Sequence, residues 1–194
     1  MVSDLWAANQ KVEKVPGVMP NPEVSMAKLS EARFYGILDL LQSYWQFPLA
    51  PDAQEIFTIA TPGGLHRSTT RVPQEILNAT SYLQATLTRV LEGLTFMVWV
   101  SDVIYWGLDE TDLLNMLNLI LERLEEVGLY VAAHKCTFLE TSITWCGKVY
   151  SQGEIKCDPE RLAGLLSMSP RDCGRADAFL AGCELVAHVF AANG

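Results

Sequence analysis

The chain has 194 residues, 49% of them hydrophobic and 19% charged, a length that fits one domain, or one with an appended subdomain, at the usual prior of about 100–200 residues per domain. No apolar run reaches the roughly 18 residues that a bilayer crossing needs, and the chain is too apolar for a disordered one, so neither membrane insertion nor disorder is expected. Fourteen Lys and Arg against 23 Asp and Glu give a formal charge of −9, which opposes unspecific adhesion to a phosphate backbone.

Pro16, Gly17, Pro20 and Pro22 crowd residues 1–33, forbidding a long helix and predicting an irregular, exposed lead-in. The opening Met1-Val-Ser-Asp-Leu-Trp lacks a basic start and a following apolar stretch, so no secretory signal is expected. Phe34–Asp39 (FYGILD) is an apolar run ending in a carboxylate, and Tyr44–Leu49 (YWQFPL) is rich in aromatics. Together they predict a strand running into a turn or short helix, with Asp39 at the strand's C-terminal end. Ile56–Ala60 predicts another strand, and Thr61-Pro-Gly-Gly-Leu a turn that returns the chain antiparallel.

From Pro73 to Leu91 the period changes: Ile76, Ala79, Leu83, Leu87 and Val90 recur at helical spacing. Pro73 suits a first helical turn and Gly93 a stop, so a helix is predicted over 73–91. Thr95–Val100 and Val103–Trp106 are β-prone runs separated by Ser101-Asp102, predicting a hairpin with those two residues at its tip. Asp112–Val127 predicts a second helix, with Leu113, Leu117, Ile120, Leu121 and Leu124 on one face and Gly128 as its stop. Leu129–Ala133 and Ile143–Tyr150 read as strands, and the Ala-rich tail after Asp158 as helix interrupted by Pro170 and Gly174. This alternation predicts an α+β or α/β chain with helices on one face of a largely antiparallel sheet. Cys136, Cys146, Cys157, Cys173 and Cys183 form an odd set with no CxxC pair, predicting free thiols in a reducing, intracellular compartment, cytoplasmic or nuclear.

Asp39 and Asp102 are carboxylates at strand ends, and they would meet if their strands were neighbours. Mg²⁺ takes oxygen ligands and needs only one or two protein carboxylates beside substrate phosphates. Two such ions about 3.5–4 Å apart stabilise the attacking and leaving oxygens of a phosphoryl displacement. On spacing alone, ordinary turn chemistry explains Ser101-Asp102 as well.

The motifs add what spacing does not. Leu38-Asp-Leu-Leu-Gln-Ser-Tyr-Trp-Gln-Phe-Pro-Leu, Phe57-Thr-Ile-Ala-Thr-Pro-Gly-Gly-Leu and Thr70-Arg-Val-Pro-Gln-Glu-Ile-Leu-Asn-Ala-Thr are followed by Val98-Trp-Val-Ser-Asp-Val-Ile-Tyr-Trp-Gly. After these come Gly128–Phe138 with Lys135, and Thr144-Trp-Cys-Gly-Lys-Val-Tyr-Ser. In this order they resemble motif A, the fingers hairpin, and motifs B, C, D and E of the reverse transcriptase domain of gypsy-type LTR retrotransposons. The resemblance implies an α+β right-hand polymerase palm with partial fingers over 1–160, and RNA- or DNA-templated DNA synthesis with two Mg²⁺. Its implied partners are a primer–template and a dNTP. By matching position, it makes Asp39 and Asp102 metal ligands, and Tyr44 the residue under the incoming sugar that excludes ribonucleotides. Gln74 becomes a nucleotide contact, Lys135 the lysine near the leaving phosphates, and Trp145 with Gly147 the primer grip.

The chain also departs from that family. Ser101 stands where the first aspartate of the motif C pair belongs, and a hydroxyl supplies no charge. If the lost anion costs about 3–5 kcal/mol of transition-state stabilisation, the rate falls on the order of 10²–10⁴-fold. Glu75 replaces a glycine in motif B, Leu5-Trp6 replaces an arginine-bearing pair, and Ser43 replaces the glycine before the motif A tyrosine. After Arg161 the resemblance thins, so the thumb is expected to be essentially missing, with 161–194 a degraded helical remnant. The expected protein is a reverse-transcriptase-like chain with catalysis impaired or lost. The alternative is a captured or decayed domain that acts by binding protein or nucleic acid, a protein being favoured because the Lys and Arg are scattered. The sequence leaves the oligomeric state open.

Overall fold

The computed structural model describes residues 5–15, 17, 29–67, 70–145, 147–160 and 163. The predicted tail helix, apart from residues 159, 160 and 163, and about half of the lead-in (1–4, 16 and 18–28) therefore lie outside the described residues, as do Cys146, Cys173 and Cys183. In chain order the elements are α1 (Trp6–Asn9), β1 (Phe34–Asp39), a 3₁₀ turn (Ser43–Gln46), α2 (Pro51–Gln54), β2 (Thr58–Thr61), β3 (Gly64–Arg67) and α3 (Ala79–Val90). They continue with β4 (Phe96–Trp99), β5 (Asp102–Gly107), α4 (Glu110–Glu126), a second 3₁₀ turn (Ala133–Lys135), β6 (Thr137–Glu140), β7 (Ser142–Trp145), β8 (Lys148–Ser151) and β9 (Glu154–Cys157). The chain divides into two compact units, Met1–Ile143 with Ser151–Gly153, and Thr144–Tyr150 with Glu154–Gly194.

The first unit is built on a four-stranded sheet ordered β4-β5-β1-β6, antiparallel at every junction. Strand periodicity sorts its side chains. Phe34 and Leu38 of β1, Val103 and Tyr105 of β5, and Phe96 and Val98 of β4 join one apolar cluster with Leu83, Leu87 and Leu91 from α3 and its end, and Leu113, Ile120 and Leu124 of α4. Both long helices thus cover one face of the sheet, and the expected α+β architecture holds. Burying each of these leucines contributes about 1.5–3 kcal/mol relative to exposure. Alternation puts Tyr35, Ile37 and Asp39 on the opposite face, with Asp102 and Ile104 across from them.

Helix α4 starts at Glu110 because the Asp109 carboxylate accepts a hydrogen bond from the Asp112 amide at 2.9 Å. Glu110 and Asp112 in its first turn and Arg123 in its last complement the helix dipole. Gly128, at φ 71°, ends it in the left-handed conformation that glycine adopts without a Cβ penalty.

Several boundaries differ from those the sequence predicts. The first long helix begins at Ala79, not Pro73, because residues 75–78 are fastened to the lead-in instead. Asn9 donates through Nδ2 to the Glu75 carbonyl (2.9 Å) and accepts from the Leu77 amide (3.0 Å). Asn78 donates to the Glu13 carbonyl (2.8 Å) and accepts from the Val15 amide (3.0 Å). Val72 also spends its amide on the Phe47 carbonyl. The stretch Leu129–Ala133 forms no strand but a single bridge, Val131 to Leu40, followed by the 3₁₀ turn. Ile143–Tyr150 is two strands, broken where Gly147 turns at φ 74°. The strand predicted at Ile56 starts at Thr58, after a turn, and pairs with β3 through the predicted hairpin.

In the second unit, Trp145 and Tyr150 are buried with ring centroids 6.3 Å apart, and the Asp158 amide donates to the Gly147 carbonyl at 3.0 Å. The three-stranded sheet has the order β7-β8-β9.

Candidate active site

Asp39 and Asp102 are cross-strand partners in the last register position between β1 and β5. One step further, the Leu40 amide donates to the Ser101 carbonyl at 3.2 Å, which makes 40–101 a hydrogen-bonded pair and 39–102 a non-hydrogen-bonded one. In such a pair the Cα atoms stand about 4.5 Å apart and the side chains lean together. The two acids predicted to meet are therefore neighbours on the sheet face away from α3 and α4.

The hairpin that delivers Asp102 has its turn at Val100-Ser101, one residue earlier than predicted, with Asp102 already in β5 opposite Trp99. The shift follows from Val100, whose φ of 57° is left-handed, a conformation that costs an L-residue roughly 1–2 kcal/mol. A buried amide holds that turn: Gln84 of α3, 3% exposed, accepts from the Val100 amide and donates to the Val98 carbonyl, both at 2.9 Å. Sequence reasoning misses Gln84. Its one signal is a polar residue between Leu83 and Leu87 on the apolar stripe.

Around the pair, the Ser101 hydroxyl donates to Asp102 Oδ1 over a long 3.4 Å. Lys135 Nζ lies 3.7 Å from Asp39 Oδ1, with side-chain exposures of 59% and 26%, a solvated ion pair of about 0.2–1 kcal/mol. The Asp39 carbonyl is bonded by the Ala132 amide at 2.8 Å, which carries the Lys135 turn to the edge of the site. Cys136, next in sequence, donates to the Ala132 carbonyl at 3.3 Å. Burial pushes its thiol up; a hydrogen bond with the Asp39 backbone opposes this, and the Asp39 charge adds to it.

The structure thus brings Asp39, Ser101, Asp102 and Lys135 together. Tyr44, in the first 3₁₀ turn, is half-buried and shares a hydrogen bond with Thr80 of α3 at 3.1 Å. Gln74 and Glu75 are exposed in the segment before α3. Trp145 and Gly147 belong to the second unit, where Trp145 is only 5% exposed. Among the described residues, no three His, Cys, Asp or Glu converge. Two carboxylates and one hydroxyl are the oxygen donors that suit a divalent cation such as Mg²⁺.

The family model described as Reverse transcriptase (RNA-dependent DNA polymerase) matches residues 1–150. The chain is 30% identical over 178 residues to the retrovirus-related Pol polyprotein from transposon gypsy of Drosophila melanogaster, covering 89% of this chain and 17% of that protein. It is 27% identical to the Gag-Pol polyprotein of avian reticuloendotheliosis virus, with 87% and 16% covered. The chain therefore spans about a sixth of the length of the curated relatives it matches. Among solved structures, it is similar to the foamy viral protease-reverse transcriptase in complex with double-stranded DNA, with TM-score 0.78, 23% identity, and 87% of this chain and 30% of that one covered. It is also similar to the same viral protein in complex with an RNA/DNA hybrid, with TM-score 0.76, 22% identity, and 86% and 23% covered.

Proposed function

Because the chain belongs to the reverse transcriptase (RNA-dependent DNA polymerase) family, we propose that Asp39, Ser101 and Asp102 are the remainder of a nucleotidyl-transfer centre that no longer sustains templated DNA synthesis at a polymerase's rate. The observation that carries this reading is the register pair Asp39–Asp102 with an alcohol at the adjoining turn. Mg²⁺, when bound, supplies Lewis-acid polarisation of a phosphoryl oxygen and neutralises developing charge. Asp39 and Asp102 would hold it. Ser101 stays neutral at physiological pH and offers only a dipole, so the charge needed to hold a second ion is missing.

The remaining residues take supporting roles. Tyr44, steadied by Thr80, would pack beneath an incoming sugar. Gln74 would contact the nucleotide, and Lys135 would meet the leaving phosphates. Trp145 and Gly147 would serve the primer end. Glu75 sets a negative charge beside Gln74, which disfavours a triphosphate. The ligand proposed for this chain is a primer–template of the kind named for the foamy viral structures, an RNA/DNA hybrid or double-stranded DNA.

The test is primer extension with Mg²⁺ or Mn²⁺ on the chain beside its Ser101→Asp and Asp39→Ala variants. Extension that appears with Ser101→Asp and disappears on adding Asp39→Ala supports the reading; full extension by the unaltered chain overturns it. A second reading, a non-catalytic domain that binds a protein, draws support from the formal charge of −9. Its signature is a partner interaction indifferent to Asp39→Ala, together with primer–template binding that lacks a steep salt dependence.

A further inference from the structure

The turn bearing Ser101 and Asp102 is not self-supporting. Val100 is β-branched and left-handed, so nothing in its own preference holds the chain there, and short hairpins normally use Gly or Asn at such a φ. The two backbone groups that flank this kink, the Val98 carbonyl and the Val100 amide, are both bonded by one side chain from another element, Gln84. That side chain is buried, and Thr88 accompanies it by donating to the Gln84 carbonyl at 2.8 Å. An amide is the group that can accept from one backbone atom and donate to another at the same time.

We propose that Gln84 is a positioning residue, which fixes the Val98–Val100 kink and through it the placement of residue 101 and Asp102 opposite Asp39. The inference rests on reading Asp39 and Asp102 as a cation-binding pair. Gln84 touches neither acid; it acts through the backbone, as supporting groups behind metal ligands do. It also accounts for a polar side chain on the core-facing stripe of α3, where an apolar residue would otherwise pack.

Two measurements on the full chain decide the matter. The first is amide hydrogen exchange. In the unaltered chain, the Val100 amide is expected to exchange as slowly as its β4 and β5 neighbours although it lies in a turn; exchange at free-turn rates overturns the proposal. In Gln84→Met, Val100 exchange should rise about 5–30-fold, the worth of a lost buried hydrogen bond, while the Ile120 and Leu124 amides keep their rates. Equal acceleration everywhere would mean a purely structural role and overturn it. Gln84→Glu keeps the acceptor for Val100 and should retain most of the protection, so the test survives if the Met variant fails to fold.

The second measurement is Mn²⁺ binding, read from paramagnetic broadening of the Asp39 and Asp102 signals in the Ser101→Asp background. Adding Gln84→Met should weaken it roughly 10–100-fold, with Gln84→Glu between; unchanged affinity overturns the proposal. If Ser101→Asp alone gathers no Mn²⁺ at these signals, the cation-site reading has failed, and the exchange data alone judge Gln84's hold on the turn.

Discussion

Gly36 of β1 is paired with Tyr105 of β5, and the Tyr105 ring lies across the place that a Cβ on residue 36 would occupy: an added methyl would stand 2.1 Å from Cζ and 2.2 Å from the hydroxyl oxygen. The glycine is there for close approach, not for a turn. Tyr105 is fully buried, so its ring has nowhere to go without displacing the cluster shared by α3 and α4. Gly36→Ala is expected to destabilise the chain by about 1–3 kcal/mol, the usual penalty of overpacking, seen as a lower midpoint in urea with an unchanged slope. A midpoint equal to that of the parent chain would contradict this packing.

The same tyrosine confers alkaline sensitivity. Burial raises the pKa of Tyr105 above the ordinary value of 10.0, with Cys136 adding to the rise, and burial raises Tyr35 as well. Above pH 10 the unfolded chain therefore loses protons that the folded chain keeps. The stability contribution is complete below about pH 10 and is lost as pH rises through the folded value. Tyr105→Phe removes a buried hydroxyl that has no hydrogen-bond partner among the described residues. It should leave stability at pH 7 unchanged or raised by about 1 kcal/mol, and flatten the decline between pH 9 and pH 12 in roughly half-unit steps of a urea series. A decline as steep as the parent's would assign the effect elsewhere.

Ser101→Asp carries a cost that a divalent cation should repay. A third carboxylate beside Asp39 and Asp102 adds like-charge repulsion of about 1 kcal/mol at a separation near 4 Å in water. With EDTA, the variant is expected to melt below the parent. With Mg²⁺ or Mn²⁺, its midpoint should rise with concentration as binding linkage requires, and by more than the parent's does. Identical shifts in both chains would argue against a cation at this pair.

The asparagine clamp makes its own forecast. Asn9→Ala and Asn78→Ala each remove two hydrogen bonds between the lead-in and residues 75–78. These bonds are exposed, so each variant should lose about 1–2 kcal/mol, and limited proteolysis should cut within residues 9–15 before the sheet opens. Cleavage at the same rate in parent and variants would remove the clamp's significance.

Cys136 should be a slow thiol. Burial pushes its pKa above the ordinary 9.0, so at neutral pH it is a thiol and not the thiolate that reacts. Iodoacetamide labelling of this residue is expected to be slow in the folded chain, to quicken with pH above 9, and to speed up sharply in denaturant. Prompt labelling at pH 7 would refute the burial argument.

Much of this site is legible in the amino-acid sequence. FYGILD reads as β1 because it is a short apolar run that ends in a carboxylate, and the two β-prone runs around Ser101-Asp102 announce a hairpin. Their adjacency follows from the motifs and not from the spacing. What stays hidden is set by partners distant in sequence. The start of α3 is delayed because Asn9 occupies backbone groups of Glu75 and Leu77 that periodicity assigns to the helix, while Asn78 turns its side chain to the lead-in at Glu13 and Val15. The hairpin turns one residue early because Gln84 supports a conformation that valine disfavours. Val131 looks strand-prone, yet finds a single bridge to Leu40 before the chain turns.

Asp39 and Ser101 each serve the architecture through the peptide group: the Asp39 carbonyl receives Ala132, and the Ser101 carbonyl receives Leu40. Every amino acid owns that carbonyl, whereas the chemistry resides wholly in what hangs beyond Cα. The two obligations are thus written on different atoms and can drift apart. A side chain at either position can therefore be exchanged, an alcohol for an acid or the reverse, while the pairing that its carbonyl maintains stays in place.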